Sequence, residues 1–209
     1  MEVLNIQKYL KNFNIVISDD VYTNIDLRED MDYYPQVSEY IQKHWRKYKD
    51  SYFIDNNTNN NFYTMLYKSL GIEKCHALIK TEKQLKYLKN SLIMNDILKV
   101  DNLWCKDATK YNAMLKGKSI AFLICLSLRD LKFCKRLFST GLISHIIILK
   151  PVPADYDFIS YINTKSYKLY EMTPKGNVEK SLKNLKYYDP ILISSSSSKI
   201  NNSIVVNFD

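Results

Sequence analysis

Apolar runs of strand length recur along the second half of the chain, at 119–128, 143–149, 157–163, 166–172, 191–194 and 203–208. Short apolar-rich runs bounded by polar and turn residues predict β-strands. Two intervals read differently. Over 177–188, Val178, Leu182 and Leu185 recur at helical spacing and Pro190 follows, which predicts a helix. A second helix is predicted over 131–138, and 81–92 fits a helix through Leu85, Leu88 and Leu92 although its flanks resemble strands. Towards the N-terminus, the apolar stretch 13–17 is followed by an acidic turn through Asp19, Asp20, Asp26, Glu29, Asp30 and Asp32. Pro35 suits a first helical position, and Val37, Tyr40, Ile41, Trp45 and Tyr48 then form one apolar stripe. The run DNNTNNN at 55–61 reads as a loop, because asparagine competes for backbone hydrogen bonds and tolerates left-handed turns; the five serines at 194–198 read as another. The pattern therefore predicts a mainly β chain with some α, an N-terminal module over 1–50 and a core over 51–209.

The chain has 209 residues, 46% of them hydrophobic, with 4 Gly and 5 Pro, the composition of one folded body. The longest strongly apolar run, 120–128, falls short of the roughly 20 residues of a membrane-spanning helix. The first residues lack an unbroken apolar segment, so no secretory signal is expected. Cys75, Cys105, Cys125 and Cys134 include no C-x-x-C pair, and reduced thiols are expected. A net charge of +8 is compatible with a polyanionic partner or with a solvated surface. The 17 Tyr against 2 Trp point to extensive contact surfaces, since Tyr joins a large ring to a hydroxyl.

Candidate chemistry is sparse. Gly71, Gly117, Gly141 and Gly176 are too dispersed for a glycine-rich phosphate loop, and His44, His76 and His145 are too far apart for a metal helix. No cofactor and no metal are expected. A cysteine hydrolase would need Cys75 as nucleophile, His145 as base and Asp155 or Asp157 to orient it, but nothing local activates Cys75. Lys43, Arg46, Lys47 and Lys49, around His44, Trp45 and Tyr48, mix cations with rings as single-strand binders do; as a nuclear-import patch they are a second possibility. The remaining lysines are scattered in sequence, so nucleic acid is an alternative and not the expected partner.

Three segments carry a resemblance. YFIDNNTNNNFYTMLYKSLG (52–71), IAFLICLSLRDLKFCKRLFSTGLISHIIILKPVP (120–153) and LKNLKYYDPILISSSSSKINNSIVVNFD (182–209) resemble, in order, segments of the polyhedrin and granulin matrix proteins of insect-virus occlusion bodies. The resemblance implies a jelly-roll-like antiparallel β-sandwich with peripheral helices and the helical N-terminal module as a possible inter-subunit arm. It also implies a non-enzymatic structural protein whose trimers build a crystalline lattice around virions in the host nucleus. Partners would be other copies of the chain and the embedded virion, with no small-molecule substrate and no membrane. Cys134 would be the candidate inter-subunit disulfide. Tyr33, Tyr34, Tyr187 and Tyr188 would be candidate alkaline-switch residues, their ionisation dissolving the lattice in an alkaline insect gut.

Overall fold

The computed structural model describes residues 2–9, 12–17, 32–56, 61–79, 81–97, 101–104, 115, 117–125, 143–151, 167–181 and 190–195. Ten strands are present among them: β1 Glu2–Ile6, β2 Phe13–Ile17, β3 Tyr52–Asn56, β4 Cys75–Ile79, β5 Asp101–Trp104, β6 Ile120–Cys125, β7 Ile143–Ile148, β8 Tyr167–Thr173, β9 Gly176–Glu179 and β10 Ile191–Ser195. Three helices accompany them: α1 Pro35–His44, prolonged by a 3-10 turn Trp45–Tyr48, α2 Phe62–Ser69 and α3 Glu82–Met94. Strands β1 and β2 form a separate antiparallel ribbon; the other eight form one sheet in the order β5-β4-β3-β6-β7-β10-β8-β9.

This sheet is not the expected antiparallel sandwich. Strands β5, β4, β3, β6 and β7 pair in parallel, and only β10, wedged between β7 and β8, and the terminal β9 run against their neighbours. The physical reason for the misreading lies in burial. Every residue of β4 (CHALI) and of β6 (IAFLIC) is buried, and strands covered on both faces read as unbroken apolar runs whichever fold contains them. The helix expected over 177–188 begins instead as β9, for 174–175 turn the chain, Gly176 takes φ +129 and Thr173 Oγ1 donates to Gly176 O at 2.8 Å. The expected segments 131–138, 157–163 and 203–208 lie outside the described residues.

Each helix has a local cause. Pro35, whose ring presets the helical φ, occupies the start of α1. Thr81 and Gln84 close a reciprocal capping box on α3, each bond 3.2 Å long. Helix α2 ends where Gly71, at φ +81, turns the chain back and Ile72 N donates to Tyr67 O. One face of the sheet, with Phe53, Phe122, Ile124 and Ile147, shares a single core with Val37 and Ile41 of α1, most of α2, Leu88 and Leu92 of α3, and Phe13, Ile15 and Ile17 of β2. Contacts across it are aromatic: Phe53 stacks on Phe122 at 5.3 Å, Tyr67 meets Phe53 edge-on at 5.3 Å, and Tyr40 of α1 meets Phe122 at 6.1 Å. The stripe of α1 is thus buried within its own chain. Among the described residues no helix is long and apolar enough to cross a membrane.

Candidate functional site

In a doubly wound parallel sheet the strand order reverses once, and a crevice opens there beyond the carboxyl ends of the two diverging strands. Here the reversal falls between β3, which leads outward through β4 to β5, and β6, which leads the other way to β7. The residues placed at this point are Asp55 and Asn56 at the end of β3, Cys125 opposite Asn56 at the end of β6, and the first turn of α2.

Asp55 organises that turn. Fully buried, it accepts from Thr64 N at 2.9 Å and Thr64 Oγ1 at 3.0 Å, satisfying a helix-start donor from the preceding strand. Asn61, the N-cap, is left-handed at φ 58 and ψ 34, a conformation asparagine adopts more readily than other side-chain-bearing residues. Its Nδ2 is buried without a partner among the described residues, an amide donor held at the positive end of a helix. Cys125 is buried, its thiol directed to Ile147 O at 3.6 Å.

A second polar group packs on the same turn. Asp32 accepts from Tyr9 OH, from Tyr34 N at 3.0 Å and from Ser38 Oγ at 3.1 Å. Burial raises the Asp32 carboxyl above the usual carboxylate range against the opposing pull of those three bonds, and burial beside Asp32 drives the Tyr9 hydroxyl far above its ordinary value. Tyr9 therefore remains a donor. Tyr9 and Tyr33 both set their rings edge-on to Phe62, at 6.3 and 5.7 Å, so this network abuts the start of α2.

At the opposite end of the sheet, His145 of β7 stacks on Phe122 at 4.8 Å, and its Nε2 lies 3.1 Å from Tyr48 OH. Burial lowers its pKa to about 3, with His44 and Lys47 adding repulsion; burial, then Lys47 and Lys43, lowers that of His44 to about 4. Both rings are neutral, and the Nδ1 atoms of both are buried without partners among the described residues.

No family model and no curated protein matches this sequence. Solved structures do. A SAM-dependent methyltransferase from Agrobacterium tumefaciens superposes with a TM-score of 0.53 over 92% of this chain and 69% of that one, at 10% identity. The fold is that of SAM-dependent methyltransferases. A SAM-dependent O-methyltransferase from Thermotoga maritima (TM-score 0.49, 11% identity, 93% of this chain and 77% of that one) and a SAM-dependent methyltransferase from Archaeoglobus fulgidus (0.47, 14%, 83% and 98%) are also similar.

The methyltransferase fold overturns the polyhedrin and granulin resemblance. With the sandwich go the readings built on it: a non-enzymatic occlusion-body protein, an alkaline-dissolving lattice of trimers around virions, and the absence of any small-molecule substrate. The cysteine hydrolase goes too, since Cys75 on β4 and His145 on β7 are three strands apart, about 14 Å; Asp155 and Asp157 lie outside the described residues.

Of the residues singled out from sequence, Cys134, Tyr187 and Tyr188 lie outside the described residues. Tyr33 is buried and Tyr34 half-buried beside Asp32. Lys43, Arg46, Lys47 and Lys49 are exposed at the end of α1 and beyond, away from the crevice. Sequence reading missed Asp32, Asp55, Asn61 and Thr64. The partial signal was the order of an apolar run, an asparagine-rich stretch and a second apolar run over 52–69, without the usual glycines.

Proposed function

We propose that the protein is a SAM-dependent methyltransferase whose cofactor lies in the crevice at the ends of β3 and β6. The observation that carries this reading is the strand-order reversal between β3 and β6, where α2 begins with a left-handed Asn61 whose buried amide donor has no partner among the described residues. The fit to S-adenosylmethionine is chemical. Its carboxylate and ribose oxygens are acceptors, which suit a side-chain amide and a helix N-terminus. An asparagine in the left-handed region also supplies the turn for which phosphate- and cofactor-binding loops commonly use glycine. When bound, the cofactor supplies a sulfonium methyl group for displacement by a nucleophile. Asp55 fixes the start of α2 through Thr64, Asn61 holds an acceptor oxygen, and the Asp32, Tyr9 and Ser38 network braces the same turn from the α1 side.

Calorimetric titration with S-adenosylmethionine and S-adenosylhomocysteine tests the reading. Saturable binding of both is expected, with Asn61→Gly, which keeps the left-handed turn and removes the amide, weakening it roughly tenfold, the worth of one hydrogen bond. Absence of binding at millimolar ligand by folded wild-type protein would refute it.

A further inference from the structure

The basic residues that look scattered in sequence meet at one edge of the fold. The segment 43–50 runs from the end of α1 into β3, 68–74 joins α2 to β4, and 117–119 precedes β6. These three segments enter adjacent strands from the same, amino-terminal end. They are tied together by Tyr52 N donating to Ser119 O (2.9 Å), Phe53 N to Lys74 O (2.9 Å), and the Ser51 and Ser119 hydroxyls at 3.1 Å. Lys43, Arg46, Lys47, Lys49, Lys68, Lys74 and Lys118 thereby come to a single rim. The carboxylates on the same segments are Asp50 and Glu73, and among the described residues none of the seven cations forms an ion pair.

Several of these cations are held in place by uncharged groups. Lys74 Nζ donates to Asp50 O at 2.8 Å and Lys68 Nζ to Glu73 O at 2.9 Å. Lys118 and Lys74 lie 4.7 and 5.8 Å from the Tyr52 ring centre, and Arg46 lies 5.7 Å from that of Trp45. By contrast, both lysines of the β8 and β9 hairpin with carboxylates in reach are paired, Lys168 with Glu179 and Lys180 with Glu171.

We infer that this amino-terminal rim of the sheet is a nucleic-acid-binding surface, gripping the sugar-phosphate backbone from the end of the sheet opposite the β3 and β6 crevice. Three strand entries set about 4.8 Å apart, each bearing cations, give a strip roughly 10 Å across the strands plus the reach of the side chains. That density matches a polymer carrying a phosphate every 3.4 Å or so along each strand. A lipid surface is the weaker fit, since among the described residues the exposed large apolar side chains, Val3, Ile93, Met94 and Val178, lie outside the three segments. The site does not depend on the proposed methyl transfer.

Fluorescence anisotropy with a labelled 20-base single-stranded RNA and a 20-base-pair DNA duplex tests the inference. Affinity should fall steeply with salt. Combining Lys43→Glu, Arg46→Glu, Lys47→Glu and Lys49→Glu should weaken binding at least thirtyfold and make the slope of log affinity against log salt shallower by about 3, at 0.7 to 0.9 per lost contact. The milder Lys43→Gln with Lys47→Gln, checked by circular dichroism, should shift the slope by about half as much and keeps the test valid if the quadruple variant misfolds. A control carrying Lys83→Glu, Lys86→Glu and Lys89→Glu, on the exposed side of α3, should bind as wild type. Equal loss in that control, an unchanged slope in the rim variants, or equal or tighter binding to polyglutamate or to phosphatidylserine vesicles would overturn it.

Discussion

Asp55 reaches from the end of a strand to the start of the next helix, so its carboxylate serves two elements at once. Replacing it with Ala orphans the Thr64 amide and hydroxyl in a dry place, at a cost of about 1–3 kcal/mol. Urea unfolding of Asp55→Ala should show that loss, and Asp55→Asn, which retains one acceptor, should recover part of it. His145 and His44 set a different dependence. Their folded pKa values, about 3 and about 4, lie below the unfolded value near 6.5, so the unfolded chain takes up protons first as pH falls. The stability associated with their neutral forms is complete above about pH 6.5, declines as pH drops towards 4 and levels off below about 3. Unfolding free energies between pH 7 and 4.5 should show it, and His145→Phe, which keeps a ring against Phe122, should make the slope shallower. An unchanged slope in that variant would remove His145 from the account.

The β1 and β2 ribbon is fastened to α3 by side chains. Ser91 Oγ accepts from Val16 N at 2.8 Å, and Asn95 both accepts from Asn14 N and donates to Asn14 O, each at 2.7 Å. Asn95→Ala should therefore speed amide hydrogen exchange in 13–17 about tenfold or more while leaving β6 and β7 protected. How much of such an element can be read from sequence depends on whether it keeps a wet side. Helix α1 was readable because its apolar stripe alternates with exposed Glu39 and Lys43 behind an opening proline. Helix α2 was not, because every residue in it except Lys68 is buried and no polar face marks its period. Strands β6, β7, β8 and β10 lie near their expected positions, but parallel pairing leaves no trace in a run such as IAFLIC. The crevice residues stayed hidden because Asp55 and Asn61 act together only once β3 and α2 are in place, and the left-handed position before α2 is an asparagine where glycine would have signalled it.

At the scale of the whole molecule, residues from the first fifty positions are part of the same interior as the sheet: Ile6, Phe13, Ile15, Ile17, Val37 and Ile41 are all at most 2% exposed. Removing residues 1–50 would uncover the apolar surface beneath them, at about 25 cal/mol for each Å². The truncated chain should be insoluble or lose its near-ultraviolet circular dichroism, whereas a soluble product with sharp tertiary signals would show that the remainder sustains its own core. The placement of β10 between β7 and β8 has a consequence for synthesis. The ribosome emits β8 and β9 before β10, yet β8 meets the rest of the sheet only through β10. Until residue 195 has cleared the exit tunnel, the nascent chain carries a β7 edge without its β10 neighbour and a hairpin not yet joined to the sheet, both open to pairing with other chains. The emergence of β10 is thus the event that joins the two halves of the sheet.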